Sequence, residues 1–356
     1  MEVFRRVEGY GHEQVVFCRN DEAGLRAIIA IHSTALGPAL GGCRMWPYKT
    51  EEEALEDVLR LSRGMTYKNA AMGLNFGGGK AVIIGDPRKD KSELLFRAFG
   101  RFVQSLGGRY YTAEDVGLGP EDLEFVAQET DYVLGLSETS GDPSPVTAWG
   151  VFHGIQASLE EVFGDPSPKG RHVVIQGAGH VGYHLAKYLK EAGARVSIAD
   201  IFPDKAEKAQ KDLGVEVLPP EDIHRVPCDV FAPCALGGVL NEKTIPELNC
   251  KIVAGSANNQ LGKTGDGELL RQRGILYAPD FVINGGGVIN VAEEMHPEGY
   301  SRERALKKVA TIADKLREIY RIAKEQGIST EKAADVMAET RLEKVTRLQR
   351  MYLPEE

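Results

Sequence analysis

The chain has 356 residues with 43 Lys and Arg against 52 Asp and Glu, a net charge of −9, and 42% hydrophobic residues. That is room for about two globular domains and excludes disorder as the main state. A negative chain without a long basic run argues against a nucleic-acid partner, and no apolar stretch nears the ~18 residues of a membrane span. No apolar leader is visible near Met1 and the five cysteines are scattered, with no C-x-x-C spacing, so a cytoplasmic protein without a metal site or disulfide framework is expected. In chain order, Leu25–Ile31 reads as a strand. Thr50–Arg63 reads as a helix, with Thr50 and Glu53 as a capping box. Lys80–Ile84 is a strand entered through Gly77–Gly79, and Ser92–Leu106 is an amphipathic helix stopped by Gly107 and Gly108. Arg109–Thr112 is a short strand running into Ala113-Glu114-Asp115, and Pro120 opens another helix.

Ser140–Pro145 is turn-rich and marks a boundary, placing one domain at 1–145 and a second at 146–327. The second begins with a helix, Thr147–Phe163, and then alternates strands and helices. The expected strands are His172–Gln176, Arg195–Ala199, Val215–Leu218, Asp229–Ala232, Ile252–Ala254 and Leu276–Tyr277. Such alternation is the mark of a parallel sheet covered by helices. Ser301–Arg350 is nearly all helix, split at Gly327, with Ser329 or Thr330 as the cap of the last helix. The fold class is therefore α/β, with a mixed α/β domain followed by a Rossmann-like, doubly wound domain.

Gly177-Ala178-Gly179-His180-Val181-Gly182 matches G-x-G-x-x-G between an apolar strand and a helix. The three glycines allow a tight turn, close approach of a pyrophosphate and close packing of helix on strand; the helix N-terminus offers free N–H groups to phosphate. Asp200 ends the next strand, where a carboxylate accepts hydrogen bonds from a ribose diol and repels a 2′-phosphate. NAD is expected rather than NADP. Gly77-Gly78-Gly79-Lys80 resembles the end of a P-loop, but Leu74 and Ala81 stand where Gly and Ser or Thr are needed. His180 and His184 share a helix face without an acidic partner between them, so no metal site is read there.

Lys80 among glycines and aliphatics is a candidate for desolvation, and a neutral amine can act as a general base. Lys68 in Gly64-Met65-Thr66-Tyr67-Lys68-Asn69 and Asp115 on the loop after a strand are its candidate partners. The strings LGPALGGCR (36–44), GMTYKNAAMGLNFGGGKAVI around both lysines and TAEDVG around Asp115 resemble the amino acid dehydrogenase family. So do APCALGG (232–238), GSANNQL (255–261) and YAPDFVINGGGVINVAEE (277–294). This is the family of glutamate, leucine, valine and phenylalanine dehydrogenases, and the resemblance runs in order over nearly the whole chain.

The resemblance implies an NAD-dependent deamination of an L-amino acid to a 2-oxo acid and ammonia, with the site in a cleft between the domains. By it, Lys68 binds the substrate carboxylate, Lys80 is the general base and Asp115 meets the substrate amine. Gly41 and Gly42 let substrate approach the backbone. Thr147, Asn259 and Asn284 stand near the nicotinamide and the substrate carboxylate. The first domain is the substrate and oligomerisation domain, completed by the final helix (about 328–356), and the assembly is a homo-oligomer, an octamer. The side-chain pocket falls on Leu40, Ala113, Val288 and Val291, all aliphatic, which disfavours glutamate because a carboxylate would be buried there unpaired. Ala113 and the β-branched Val288 favour leucine, valine and isoleucine, with phenylalanine the alternative. Among rival classes, a 2-hydroxy-acid dehydrogenase would want a histidine motif that is missing. A non-catalytic NAD-binding protein has no need of Lys68, Lys80 and Asp115.

Overall fold

Apolar runs without polar alternation belong to sheets covered on both faces, and the chain builds two such sheets. The computed structural model describes residues 3–348. It divides into two compact units. One holds the described residues up to Gly141, Glu294–Tyr300 and those from Ala338 onward; the other holds Asp142–Glu293 and Ser301–Met337.

The first unit contains α1 (Val3–Tyr10), β1 (Gln14–Asn20), β2 (Leu25–Ser33), β3 (Ala39–Leu40), β4 (Cys43–Trp46), α2 (Glu51–Ala71), β5 (Gly77–Ile84), α3 (Glu93–Ser105), β6 (Tyr110–Tyr111) and α4 (Pro120–Ala127). Its sheet runs β1-β2-β5-β3-β6, with β4 also paired to β5. The β1–β2 and β2–β5 pairs are antiparallel and the others parallel. Successive side chains alternate across it. Ile29, Ile31, Ala81 and Ile83 pack with Leu95, Phe96 and Phe99 of α3. Ile28, Ala30 and Val82 pack with Leu55, Val58 and Leu59 of α2. Lys80, in step with Val82, therefore leaves the sheet on the α2 side.

α2 begins as expected: the Glu53 N–H donates to Thr50 Oγ1 at 3.1 Å. The Glu53 carboxylate accepts from the Lys49 N–H, so the reciprocal half of the capping box is displaced by one residue. The helix does not stop at Arg63. It continues through Gly64 to Ala71, because Thr66, Asn69 and Ala70 go on burying its inner face. Lys68 consequently sits in its last turn. β5 starts at Gly77, three residues earlier than expected, so the glycines form strand rather than a phosphate loop.

The second unit contains α5 (Ser144–Phe163), β7 (His172–Gln176), α6 (His180–Glu191), β8 (Arg195–Ala199), α7 (Pro203–Leu213), β9 (Glu216–Val217), β10 (Val230–Pro233), β11 (Ile252–Val253), α8 (Asp266–Gln272), β12 (Leu276–Tyr277), α9 (Asp280–Ile283), α10 (Gly286–Ala292), α11 (Arg302–Ala310), α12 (Ile312–Gln326) and the first part of α13 (Thr330–Leu348). The sheet order is β12-β11-β10-β7-β8-β9 and every pair is parallel. This is the doubly wound order, in which the chain reverses its direction of travel beside β7. Gly327 ends α12 at φ +66°, as its position in the sequence foretold.

The units divide at Gly141 rather than at residue 145, and α13 passes into the first unit at Ala338 rather than near 328. The Thr330 hydroxyl donates to the Tyr277 carbonyl at 2.6 Å, which keeps the start of α13 in the second unit. Its later part packs Ala338, Leu342 and Val345 on Leu36, Tyr67 and Ala70. The return of 294–300 was not foreseen. The Glu294 carboxylate accepts from the N–H groups of Gly135 (3.1 Å) and Ser140 (3.2 Å) and from the Thr139 hydroxyl (2.8 Å), binding that segment to the end of the first unit. Residues 349–356 of the expected last helix lie outside the described residues. Among the described residues no helix is long and apolar enough to cross a membrane, and no group of three or more His, Cys, Asp or Glu side chains is placed to hold a metal. All five cysteines are unbridged.

Two histidines lie between α2 and the sheet. His12 Nε2 meets Ser62 Oγ at 2.7 Å, His32 Nδ1 meets Thr66 Oγ1 at 2.8 Å, and the rings are 4.9 Å apart. Burial, then the neighbouring His32, pulls His12 down to about 4; burial also lowers His32. From pH 6.5 down to about 4 the unfolded chain binds a proton at residue 12 that the folded protein refuses. Stability contributed there is present above that window and is lost through it as pH falls. The melting temperature is expected to drop between neutral pH and pH 5, and to drop less in His12→Gln. An identical drop in the variant would contradict this assignment.

Candidate active site

Three pieces of chain converge at the start of β5. The β3–β4 bend brings Leu40, Gly41 and Gly42, and β4 brings Arg44; α2, which carries Lys68 in its last turn, reaches the strand through Asn69, whose amide donates to the Gly77 carbonyl at 2.6 Å; the segment after β6 brings Ala113 and Asp115. That segment is held against β4 by main-chain bonds from Cys43 N to Ala113 O (2.8 Å) and from Met45 N to Val116 O (2.9 Å). Leu40 is enclosed, Ala113 lies at the edge of the core and Lys68 is half-buried.

Lys80 is only 5% exposed, and its Nζ lies 3.0 Å from Asp115 Oδ1. Asp115 Oδ2 accepts from Arg44 Nε at 2.8 Å. Arg44 Nη1 donates onward to Asp57 Oδ2 (3.0 Å), which also accepts the Tyr48 hydroxyl (2.7 Å). Burial pushes the Asp115 carboxyl up, but the Lys80 ammonium and the Arg44 guanidinium outweigh it and hold the group below the usual carboxylate range. Asp57 is also held low: burial opposes, and the Tyr48 hydroxyl, Arg44 and Arg60 prevail. Burial keeps the adjacent Cys43 thiol and Tyr110 phenol neutral, both raised well above their ordinary values.

The glycines of the bend are also required by packing. A Cβ on Gly41 would stand 1.8 Å from the Gly79 carbonyl oxygen, and one on Gly42 would stand 2.2 Å from the Glu114 carbonyl oxygen. Neighbouring main chain excludes side chains there.

In the second unit the turn Gly177–Gly182 joins β7 to α6. Gly177 has φ +105°, and a Cβ on Gly182 would stand 2.0 Å from the Gly177 carbonyl oxygen. A Cβ on Gly179 would meet nothing within 4 Å, so open space lies over the second glycine, where a pyrophosphate would approach. His180 and Val181 open α6. At the end of β8, Asp200 Oδ2 accepts from the Ala178 N–H (2.7 Å) and Oδ1 from the Phe202 N–H (2.9 Å). A pocket of about 260 Å³ opens beside them, lined by Gln176, Gly177, Asp200, Ile201, Leu236 and Val239. It lies at the carboxyl ends of β7, β8 and β10, the reversal point where such sheets take ligands. Glycine turn, open space and acidic strand end fit a dinucleotide.

The remaining expected residues lie elsewhere in this unit. Thr147 is in the first turn of α5, and its Oγ1 lies 3.0 Å from where a Cβ on Gly287 would be. The Asn284 amide donates to Asn258 Oδ1 (2.7 Å) and to the Ser256 carbonyl (3.2 Å). Asn259 has φ +51°, and its carbonyl accepts from the Gly238 N–H at 2.7 Å. Val288 and Val291 are half-buried one turn apart on α10, while Ile289 and Asn290 face inward. Sequence reasoning missed Arg44, Asp57, Asn258 and Leu236. Only the first carried a signal, as the cation two residues past Gly42 in an otherwise apolar stretch.

Residues 12–132 match the family described as Glu/Leu/Phe/Val dehydrogenase, dimerisation domain, and residues 203–350 match Glutamate/Leucine/Phenylalanine/Valine dehydrogenase. The chain belongs to this family of amino acid dehydrogenases. It is 55% identical to the leucine dehydrogenase of Geobacillus stearothermophilus over 99% of this chain and 96% of that enzyme. It is 49% identical to the phenylalanine dehydrogenase of Thermoactinomyces intermedius over 99% and 97%. The crystal structure of L-tryptophan dehydrogenase from Nostoc punctiforme superposes with a TM-score of 0.86 at 46% identity, covering 97% of this chain and 100% of that one.

Because the Cβ of an alanine at 41 would collide with rigid main chain, Gly41→Ala is expected to destabilise the first unit by about 1–3 kcal/mol or more. The check is the denaturation midpoint; a midpoint equal to wild type would show that the bend can relax.

Proposed function

We propose that the protein is an NAD-dependent dehydrogenase of branched-chain L-amino acids, converting L-leucine, with valine and isoleucine, reversibly to the 2-oxo acid and ammonia. The observation that carries this reading is the buried Lys80–Asp115 pair, a paired amine and carboxylate on an interior strand entered through three glycines. Higher identity to a leucine enzyme than to a phenylalanine enzyme supports the branched-chain assignment. So does the aliphatic set Leu40, Ala113, Val288 and Val291. One methylene is worth only ~1–3 kcal/mol of discrimination, so several branched substrates fit one pocket.

NAD, when bound, would supply the hydride acceptor; Gly177–Gly182, Asp200 and the first turn of α6 would hold it, and Thr147 and Asn284 would serve its nicotinamide. Lys68 binds the substrate carboxylate, and Asn259 is a further candidate to bind it. Loss of hydride from Cα leaves a protonated imine. Lys80, as general base, takes a proton from water as the oxygen bonds to that carbon, giving a carbinolamine. Asp115 holds the substrate amine and carries its proton. Asp115 returns the proton it took from the substrate ammonium to the carbinolamine nitrogen; the C–N bond then breaks, ammonia leaves, and the hydroxyl becomes the carbonyl as its proton is released together with the one on Lys80. The family name of segment 12–132 supports self-assembly through the first unit, which we extend to the octamer; unbridged thiols fit a reducing cytoplasm.

NADH formation on a panel of leucine, valine, isoleucine, phenylalanine and glutamate tests the reading. Leucine is expected to give the highest kcat/KM and glutamate no turnover; a silent panel would refute it. Lys80→Ala should lower kcat about 10²- to 10⁴-fold with the fold retained, and wild-type turnover would remove the assigned base. The double variant Asp200→Gly/Ile201→Arg should move the kcat/KM ratio toward NADP, and an unchanged ratio would count against a ribose contact at Asp200.

A further inference from the structure

We propose that Arg44 is a positioning residue for this reaction: its guanidinium fixes the Asp115 carboxylate so that one oxygen alone is presented to Lys80. The proposal rests on the deamination reading above and assigns a residue which that reading leaves unused.

The geometry follows from strand register. Cys43 pairs with Ala81 and Arg44 with Val82 in the parallel β4–β5 ladder. Cys43 and Ala81 belong to the core on the α3 side, so Arg44 and Lys80 both leave the sheet on the α2 side. Asp115 comes between them. Its Oδ1 meets Lys80 Nζ at 3.0 Å and its Oδ2 meets Arg44 Nε at 2.8 Å. The guanidinium is itself held from α2: Nη1 reaches Asp57 Oδ2 at 3.0 Å, and Asp57 is tied to the Tyr48 hydroxyl and to Arg60 Nη2. A planar fork with two nitrogens engaged cannot turn, so the carboxylate it holds cannot turn either.

Without Arg44 the Asp115 carboxylate could rotate and offer both oxygens to the Lys80 ammonium. The contacts of that carboxylate with Lys80 and with the substrate amine would then lose their fixed geometry for proton transfer. The effect falls mainly on turnover, because Arg44 reaches the reacting atoms only through Asp115. A lysine at 44 would keep the charge but could not bridge two carboxylates with fixed geometry.

The test is steady-state kinetics on leucine and NAD with Arg44→Met, Arg44→Lys and Asp57→Asn beside wild type. Arg44→Met should lose about 10- to 100-fold in kcat, with KM for leucine within about threefold of wild type. Arg44→Lys should fall between the two, and Asp57→Asn, which loosens Arg44 without removing it, should lose about threefold or more. Guanidinium ion at tens of millimolar should restore part of the Arg44→Met turnover, which a purely structural defect would not allow. The proposal is overturned if kcat of Arg44→Met stays at the wild-type value, if the loss falls on KM for leucine instead, or if guanidinium restores nothing. Should Arg44→Met fail to fold, unchanged kcat in Arg44→Lys and Asp57→Asn overturns it equally. An inactive wild type sinks the deamination reading and this proposal with it; an active wild type with unaffected variants sinks this proposal alone.

Discussion

Lys80 is the sole charged residue of β5, a strand covered on both faces, and its ammonium can stay there only if a carboxylate meets it. That requirement orders much of the first unit. Asp115 supplies the charge, so the segment after β6 must lie against β4, and two main-chain bonds hold it there. Arg44 then shares Asp115, and Asp57 on α2 holds Arg44. Buried ion pairs stabilise little compared with apolar residues of the same volume, whereas removing one partner costs about 3–5 kcal/mol. Such a pair makes physical sense where chemistry needs an amine and a carboxylate in contact.

Much of this was legible before any coordinates. Thr50, Ser92, Pro120 and Gly327 each mark a helix end where local chemistry alone decides, since caps and left-handed residues act within one turn. The second sheet was legible because β7 carries the apolar run Val173–Ile175 and β8 is apolar but for Arg195 and Ser197, and the fingerprint glycines lie between strand and helix as expected. What failed was whatever depends on distant packing. The helix from Thr50 was expected to end at Arg63, but tertiary burial of Thr66 and Asn69 carried α2 on to Ala71. The return of 294–300 rests on one carboxylate reaching backbone about 155 residues away in sequence, which no local pattern encodes.

The site shows the same division. Lys80 stood out because its neighbours are glycines and aliphatics, and Asp115 because it follows a strand. Their meeting at 3.0 Å required the ladder register. Arg44 stayed hidden because its partners, Asp57 and Asp115, lie 13 and 71 positions away. In the second unit Asp200 was legible as a strand-end acid, but its bonds to the Ala178 and Phe202 N–H groups were not. The carboxylate proposed for the ribose thus also braces the turn beside it.

The run Gly77–Gly79 has a consequence for the protein's history. A Cβ at 77 would stand 1.9 Å from the Ser33 carbonyl oxygen, one at 78 would stand 2.1 Å from the Thr66 hydroxyl, and one at 79 would stand 2.7 Å from the Tyr110 ring. Three different elements close on three consecutive positions, so no single compensating replacement could open room for a side chain at all of them. Drift in lineages descended from this chain should therefore bypass the triplet, and diversification of substrate range has to come from aliphatic positions outside it.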